Sequence, residues 1–147
     1  MLFRSFEVVL VDDGSTDDTV AWLRENVAAL PHVRLVLQDH GGPAEGRNRG
    51  VDHASGDVIV FIDSDLVVLP DFLLQHARTL EQRWRQRGDR LCFTYGAVVN
   101  TANFENPTSE PHKLNDVSFA YFATGNVAID REVLERAGLF EIGRAHV

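Results

Sequence analysis

Val8-Val9-Leu10-Val11-Asp12-Asp13-Gly14-Ser15 decides how this chain is read, because a short, unbroken apolar run passes directly into a polar turn. That pattern predicts a buried strand whose last residues are paired carboxylates. A helix is expected next. Ser15 or Thr16 can serve as its N-cap, Asp17 and Asp18 sit where the helix dipole favours negative charge, and Val20, Leu23 and Val27 fall on one face. Pro31 then stops it.

Working outward, Val33 to Leu37 reads as a second strand, and Gly41-Gly42-Pro43 as a flexible turn with proline at the first helical position. The helix from Pro43 to Ala54 is weakly apolar and carries Arg47 and Arg49. Val58 to Ile62 is a third buried strand, again closed by carboxylates, Asp63-Ser64-Asp65. Pro70 opens a helix whose Phe72, Leu73, His76, Ala77, Leu80 and Trp84 have core-facing spacing, and Gly88 ends it. Leu91 to Val99 is a fourth strand, and the Asn-, Pro-, Thr- and Ser-rich stretch from Asn100 to Asp116 is a loop too long for mere connection. Asn126 to Ile129 is a short strand, followed by a short helix, Arg131 to Ala137, closed by Gly138. The alternation of strand and helix implies an α/β fold, a mostly parallel sheet flanked by helices.

The chain has 147 residues, 44% of them hydrophobic, enough for one domain with a real core. Its formal charge of -8 argues against a nucleic-acid partner, which calls for surplus Lys and Arg. Any anionic ligand must therefore be met locally, by a metal ion or a few placed bases. Cys92 is the only cysteine and lies in an apolar run, so it reads as a buried thiol in a reducing compartment. The apolar runs around Val58 to Ile62 and Leu66 to Leu69 are far shorter than a bilayer requires, and the first residues lack the apolar length of a secretory signal. The six histidines have no mutual spacing of a metal site, so each is read as a surface or packing residue.

Ligands of open parallel sheets bind beyond the carboxyl ends of the strands, and both acidic turns are expected at that edge. A carboxylate there is expensive to desolvate unless it hydrogen-bonds, caps a helix or holds a cation. For Asp12-Asp13-Gly14-Ser15 the plain alternative is a capped turn. The spacing of Asp63 and Asp65 lets two carboxylates address one hard cation, Mg²⁺ or Mn²⁺, bridging the phosphates of a bound nucleotide. An isolated Asp-x-Asp is a weak signal; its place after a buried strand, with the other acidic pair and an Arg-bearing segment, strengthens it. At the start of the second helix, backbone N-H groups and the Arg47 guanidinium can receive a diphosphate, whereas Arg49 is read as a solvated helix residue.

The ordered set of motifs resembles the family 2 inverting glycosyltransferases of the GT-A fold. Val9 to Thr19 is similar to that family's first nucleotide-binding loop, Gly42 to Gly50 to its Ala-Arg-Asn segment, and Phe61-Ile62-Asp63-Ser64-Asp65 to its metal motif. Gly125 to Ile129, with Arg131 and Ala137-Gly138-Leu139-Phe140, is similar to the stretch that leads toward the acceptor side. The resemblance implies that Asp13, with Asp12 and Ser15 in the same loop, holds the nucleotide base or ribose, and that Arg47 lies near the diphosphate. Asp63 would face the ribose and share the metal with Asp65, Ser64 would lie between them, and Thr124, Gly125 and Asn126 would line the sugar or acceptor pocket. The implied cofactor is Mn²⁺ or Mg²⁺, the donor a nucleotide-diphosphate sugar, and the acceptor a glycan, lipid or protein. A role in cell-wall or polysaccharide synthesis on the cytosolic side, including the cytoplasmic face of a membrane, follows from the same resemblance.

Three departures stand out. Gly46 replaces the usual alanine before the arginine, Leu66 replaces a third acidic residue, and the family's first strand should precede Val8. The general base, expected downstream of Phe140, falls beyond residue 141, so no catalytic base is assigned. Residues 142–147, Ile-Gly-Arg-Ala-His-Val, fit no family pattern and back-translate to a common sequencing-adapter sequence, so they are read as a non-native tail and His146 is given no role. Residues 1–141 are thus expected to be a partial GT-A domain that binds a donor without turning it over, since loss of the base removes a factor of roughly 10² to 10⁴. Two alternatives are carried: a non-catalytic nucleotide-sugar-binding module, and a haloacid-dehalogenase-type phosphatase using Asp63 as nucleophile. The phosphatase reading leaves the Asp12-Asp13 loop unexplained.

Overall fold

The computed structural model describes residues 5–27, 29–101, 103, 105–106, 109, 117–118 and 125–141. The fold is α/β, and the chain divides into two compact units: the first runs up to Ile59 and takes in the stretch from Leu134, and the second runs from Val60 to Val133.

In the first unit, β1 (Val8–Asp13) pairs in parallel with β2 (Val33–Gln38), with Val8 opposite Val33 and Asp13 opposite Gln38. Two helices accompany them, α1 (Thr19–Val27) and α2 (Pro43–His53), and Leu23, Val36 and Val51 are buried. Pro43 stands in the first turn of α2, where its missing N-H leaves no bond unmade. The cap of α1 differs from expectation. Ser15 and Thr16 precede the helix, and Asp17 instead accepts the Thr19 N-H at 3.0 Å, because Ser15 is already engaged with Asp12.

In the second unit, β3 (Val58–Ile62), which begins just before the boundary, belongs to a three-stranded sheet of order β3-β7-β4. α3 (Phe72–Arg87) buries His76, Ala77, Leu80 and Trp84 and stops at Gly88, which adopts the left-handed conformation at φ 75°. Leu73, expected in the core, is exposed in the first turn of α3. The strand expected over Leu91 to Val99 is broken at Gly96 into β4 (Phe93–Tyr95) and β5 (Val98–Val99), the latter paired antiparallel with β6 (Val117–Ser118). Cys92, expected to be buried, is partly exposed. β7 (Asn126–Asp130) is antiparallel to β4 and leads into α4 (Arg131–Arg136). Asp130 organises that junction. One carboxylate oxygen accepts the Glu132 and Val133 N-H groups, while the other accepts Arg90, whose guanidinium lies 4.8 Å from the Trp84 ring centroid.

The parallel pairing expected from alternation is that of β1 and β2, whereas β4–β7 and β5–β6 are antiparallel. Within the described residues β1 has one strand neighbour, β2, and β3 has one, β7. The strand that the resemblance expects before Val8 has no counterpart among the described residues. Thr124, most of the loop from Asn100 to Asp116, and residues 142–147 lie outside them.

Leu80 and Val127 are fully buried at the centre of the second unit. Truncating Leu80→Ala is expected to destabilise the protein by about 2–5 kcal/mol, the range for an aliphatic core residue that leaves a cavity, read as a lower midpoint of denaturant unfolding. A change within 0.5 kcal/mol, the scale of surface substitutions, would show that the core is not where these contacts place it.

Candidate functional site

The turn after β1 belongs to the first unit, and its two carboxylates do different work. Asp12 is buried and turned back on its own loop: Oδ1 accepts the Ser15 N-H at 3.1 Å and Oδ2 the Ser15 hydroxyl at 2.5 Å. This is the capped-turn arrangement, so Asp12 and Ser15 shape the loop. Asp13 reaches across to the β2–α2 loop. Its Oδ1 accepts Gln38 Nε2 at 2.6 Å and the Gly41 N-H at 2.8 Å, and its Oδ2 accepts the Gly42 N-H at 2.9 Å and lies 3.0 Å from His40 Nδ1. The Gly41 amide, followed by Gln38 and Gly42, holds the Asp13 carboxyl below the usual carboxylate range.

Gly14 permits this closure. It has φ 80°, and a Cβ there would lie 2.7 Å from the backbone nitrogen of His40. The amides of Gly41 and Gly42, in the turn that leads into the second helix, are thus committed to Asp13. The His40 side chain is 79% exposed.

Arg47 and Asn48 project from α2. The Arg47 guanidinium lies 5.8 Å from the centroid of the Phe140 ring. Asn48 binds the backbone of the same residue twice, Nδ2 donating to the Phe140 carbonyl and Oδ1 accepting its N-H, each at 2.9 Å. Two segments 92 residues apart, each flagged by its own motif, therefore meet within this unit. Sequence reasoning missed that junction, because neither periodicity nor spacing pairs distant loops. It also missed Gln38, Asp39 and Glu45, which with Leu37 and Arg49 line an open cleft of about 500 Å³. Gln38 Oε1 is buried there without a hydrogen-bond partner among the described residues. Arg49 is exposed, as expected, yet lines this cleft.

The turn after β3 belongs to the second unit. Asp63, Ser64 and Asp65 are exposed, and the Leu66 N-H closes the turn on the Asp63 carbonyl at 3.3 Å. The Asp63 carboxylate is seated against Gly125, where a Cβ would lie 2.7 Å from Oδ2. Any side chain at Gly125 would evict it. Two expected site residues from separate motifs are thereby brought together. Asp65 has no hydrogen bond or ion pair with another described residue. Among the described residues no group of three or more His, Cys, Asp or Glu gathers as a metal cage. Two exposed carboxylates suit an ion that keeps most of its shell for water and phosphate oxygens, the habit of Mg²⁺.

Asn126 follows Gly125 at the start of β7. Its Oδ1 lies 2.9 Å from Nε2 of His76, whose Nδ1 is 2.7 Å from Thr94 Oγ1. Burial pushes the His76 imidazole below its ordinary value, opposed by the Asn126 hydrogen bond. It is a core histidine, as the sequence suggests, but one tied to an expected site residue.

Residues 2–137 match the profile of Glycosyl transferase family 2. The chain is 38% identical over 68 residues to the glycosyltransferase YibD of Escherichia coli, covering 46% of this chain and 20% of that protein. It is 28% identical over 124 residues to the glycosyltransferase GlyG of Streptococcus pneumoniae, covering 84% and 36%. Among solved structures, the mannosyltransferase PcManGT from Pyrobaculum calidifontis, in complex with GDP-Man and Mn²⁺, superposes with a TM-score of 0.60 at 28% identity, over 93% of this chain and 39% of that one. The α/β, GT-A-like fold class read from the sequence is shared with that transferase. The chain therefore spans between a fifth and two fifths of the length of these relatives. A phosphatase reading of Asp63-Ser64-Asp65 has no support beside a family match of this extent, and the chain belongs to glycosyl transferase family 2.

Proposed function

We propose that the protein carrying this chain transfers a sugar from a nucleotide-diphosphate donor to an acceptor hydroxyl, with inversion and with help from a divalent metal. The observation that carries the reading is the Asp63 carboxylate seated on Gly125, with Asp65 exposed and without a partner among the described residues. The family match supports it, as does the Mn²⁺ and GDP-Man complex of PcManGT.

In this reading Asp63 and Asp65 hold Mn²⁺ or Mg²⁺. Bound there, the ion offsets charge developing on the departing nucleoside diphosphate. The chain's own residues supply the other donor contacts. Arg47 pairs with diphosphate oxygens by charge-assisted hydrogen bonds, with Phe140 fixing its direction. Asp13 accepts from the base or ribose once His40 gives way, while Gly41 and Gly42 keep its carboxylate oriented. Asp12 and Ser15 hold that loop in shape, and Ser64 spaces the two metal-facing carboxylates. Gly125 and Asn126 face the sugar or acceptor. Among the described residues no helix is long and apolar enough to cross a membrane, and we assign the chemistry to the cytosolic side, where activated sugars are made.

Sugar transfer by the full-length protein is expected to fall by about 10²-fold or more in Asp65→Ala, the scale for losing one preorganised electrostatic partner, with Mn²⁺ no longer stimulating the residual rate. Unchanged Mn²⁺ stimulation would remove the metal role. The 147-residue stretch alone is expected to bind donor without transferring sugar; turnover by it would contradict the assignment of the base to a later segment.

The Asp13 clamp has a defined pH sign. Its folded pKa is depressed, so its contribution is fully present above the ordinary value of 3.8 and is lost as pH falls through the lower folded value. Amide exchange of Gly41 and Gly42, corrected for intrinsic rates, should therefore keep its protection down to about pH 4 and lose it only below. Asp13→Asn should weaken that protection at neutral pH. Protection already lost well above pH 4 would contradict the assignment of the clamp to Asp13.

A further inference from the structure

His76 lies on α3 in the second unit and is buried, yet each ring nitrogen has a polar partner. The partner of Nε2 is the carboxamide oxygen of Asn126, which can only accept, so Nε2 carries the hydrogen. Nδ1 then accepts, and the Thr94 hydroxyl donates to it. One tautomer is thereby selected, and Phe72 packs edge-on against the ring with centroids 4.8 Å apart. Asn126 is held from its other side too. Its carbonyl accepts the Gly96 N-H at 3.2 Å, and its Nδ2 occupies the space a Cβ on Gly96 would need. With Oδ1 turned to His76, the group left for a ligand is the Nδ2 N-H pair, which has no partner among the described residues.

We propose that His76 is a positioning residue for the sugar half of the donor: it fixes the Asn126 carboxamide so that its amide hydrogens, and not its oxygen, face a sugar hydroxyl. This rests on the reading above that Asn126 faces the sugar. A sugar oxygen accepting from a preset donor gains the hydrogen bond without first ordering the side chain. A histidine that only fills space would have no such effect.

The test uses the full-length protein with Mn²⁺ and calorimetry against UDP-, GDP- and dTDP-sugars, taking the tightest binder together with its parent nucleoside diphosphate. His76→Leu is expected to weaken the nucleotide sugar roughly three- to tenfold, the size of one hydrogen bond, while leaving the nucleoside diphosphate unchanged. His76→Gln, which keeps an N-H near the Nε2 position, should restore most of the loss. Asn126→Ala should reproduce it, and the double variant should lose no more than either single one. Nitrogen-15 spectra of the unmodified protein should show His76 protonated at Nε2. Equal weakening of both ligands, or losses that multiply, would reduce His76 to a packing residue, and an Nδ1-H tautomer would overturn the proposal outright. Unchanged sugar binding in Asn126→Ala, or no binding to any donor by the unmodified protein, would overturn the reading of the sugar site and this role with it.

Discussion

Carboxylates at the ends of strands govern this molecule, because each must find compensation for the water it gives up. Asp12 finds it in its own loop, through the Ser15 amide and hydroxyl. Asp13 finds it in the next loop, where two glycine amides and Gln38 gather around it. Asp63 is shaped by the absence of a side chain at Gly125, and Asp65 is left to solvent. The same residue type at similar places in the strand–turn pattern thus serves turn closure and loop clamping, and is proposed above to hold a cation. The partners, rather than the carboxylates, make the difference.

Those differences explain which parts were legible beforehand. The runs Val8 to Val11, Val33 to Leu37 and Val58 to Ile62 are continuous and apolar, so strands β1 to β3 and the turns that end them could be read directly. Gly88 and Gly138 end their helices where expected, both with positive φ. The second half resisted, since Gly96 looks like a residue within a strand until Asn126 is seen lying over it. Antiparallel pairing of β4 with β7 leaves no local mark at Phe93 or Ile129. The α1 cap was misassigned for a similar reason: Ser15 is a good cap by type, but Asp12 competes for it.

The site shows the same division. Asp13, Arg47, Asp63 and Asp65 could be named as candidates because their motifs are local. The Asn48 bridge to Phe140 and the His76 bridge to Asn126 were not, because each joins residues 92 or 50 positions apart through side-chain atoms. The first ties two motif segments together, and the second ties a motif residue to a core helix. Family membership explains why such segments occur in one chain, and the hydrogen bonds explain what each does for the other.

The central proposal is that Asp13 contacts the nucleotide of the donor and that the Asp63 to Asp65 turn holds its metal. Hydrogen exchange of the full-length protein with a nucleoside diphosphate, with and without Mn²⁺, measures this most directly. The account expects protection to rise at Gly41 and Gly42 and at Ser64 to Leu66 together, with the second rise requiring the metal. Protection confined to one turn, or identical with and without Mn²⁺, would contradict it.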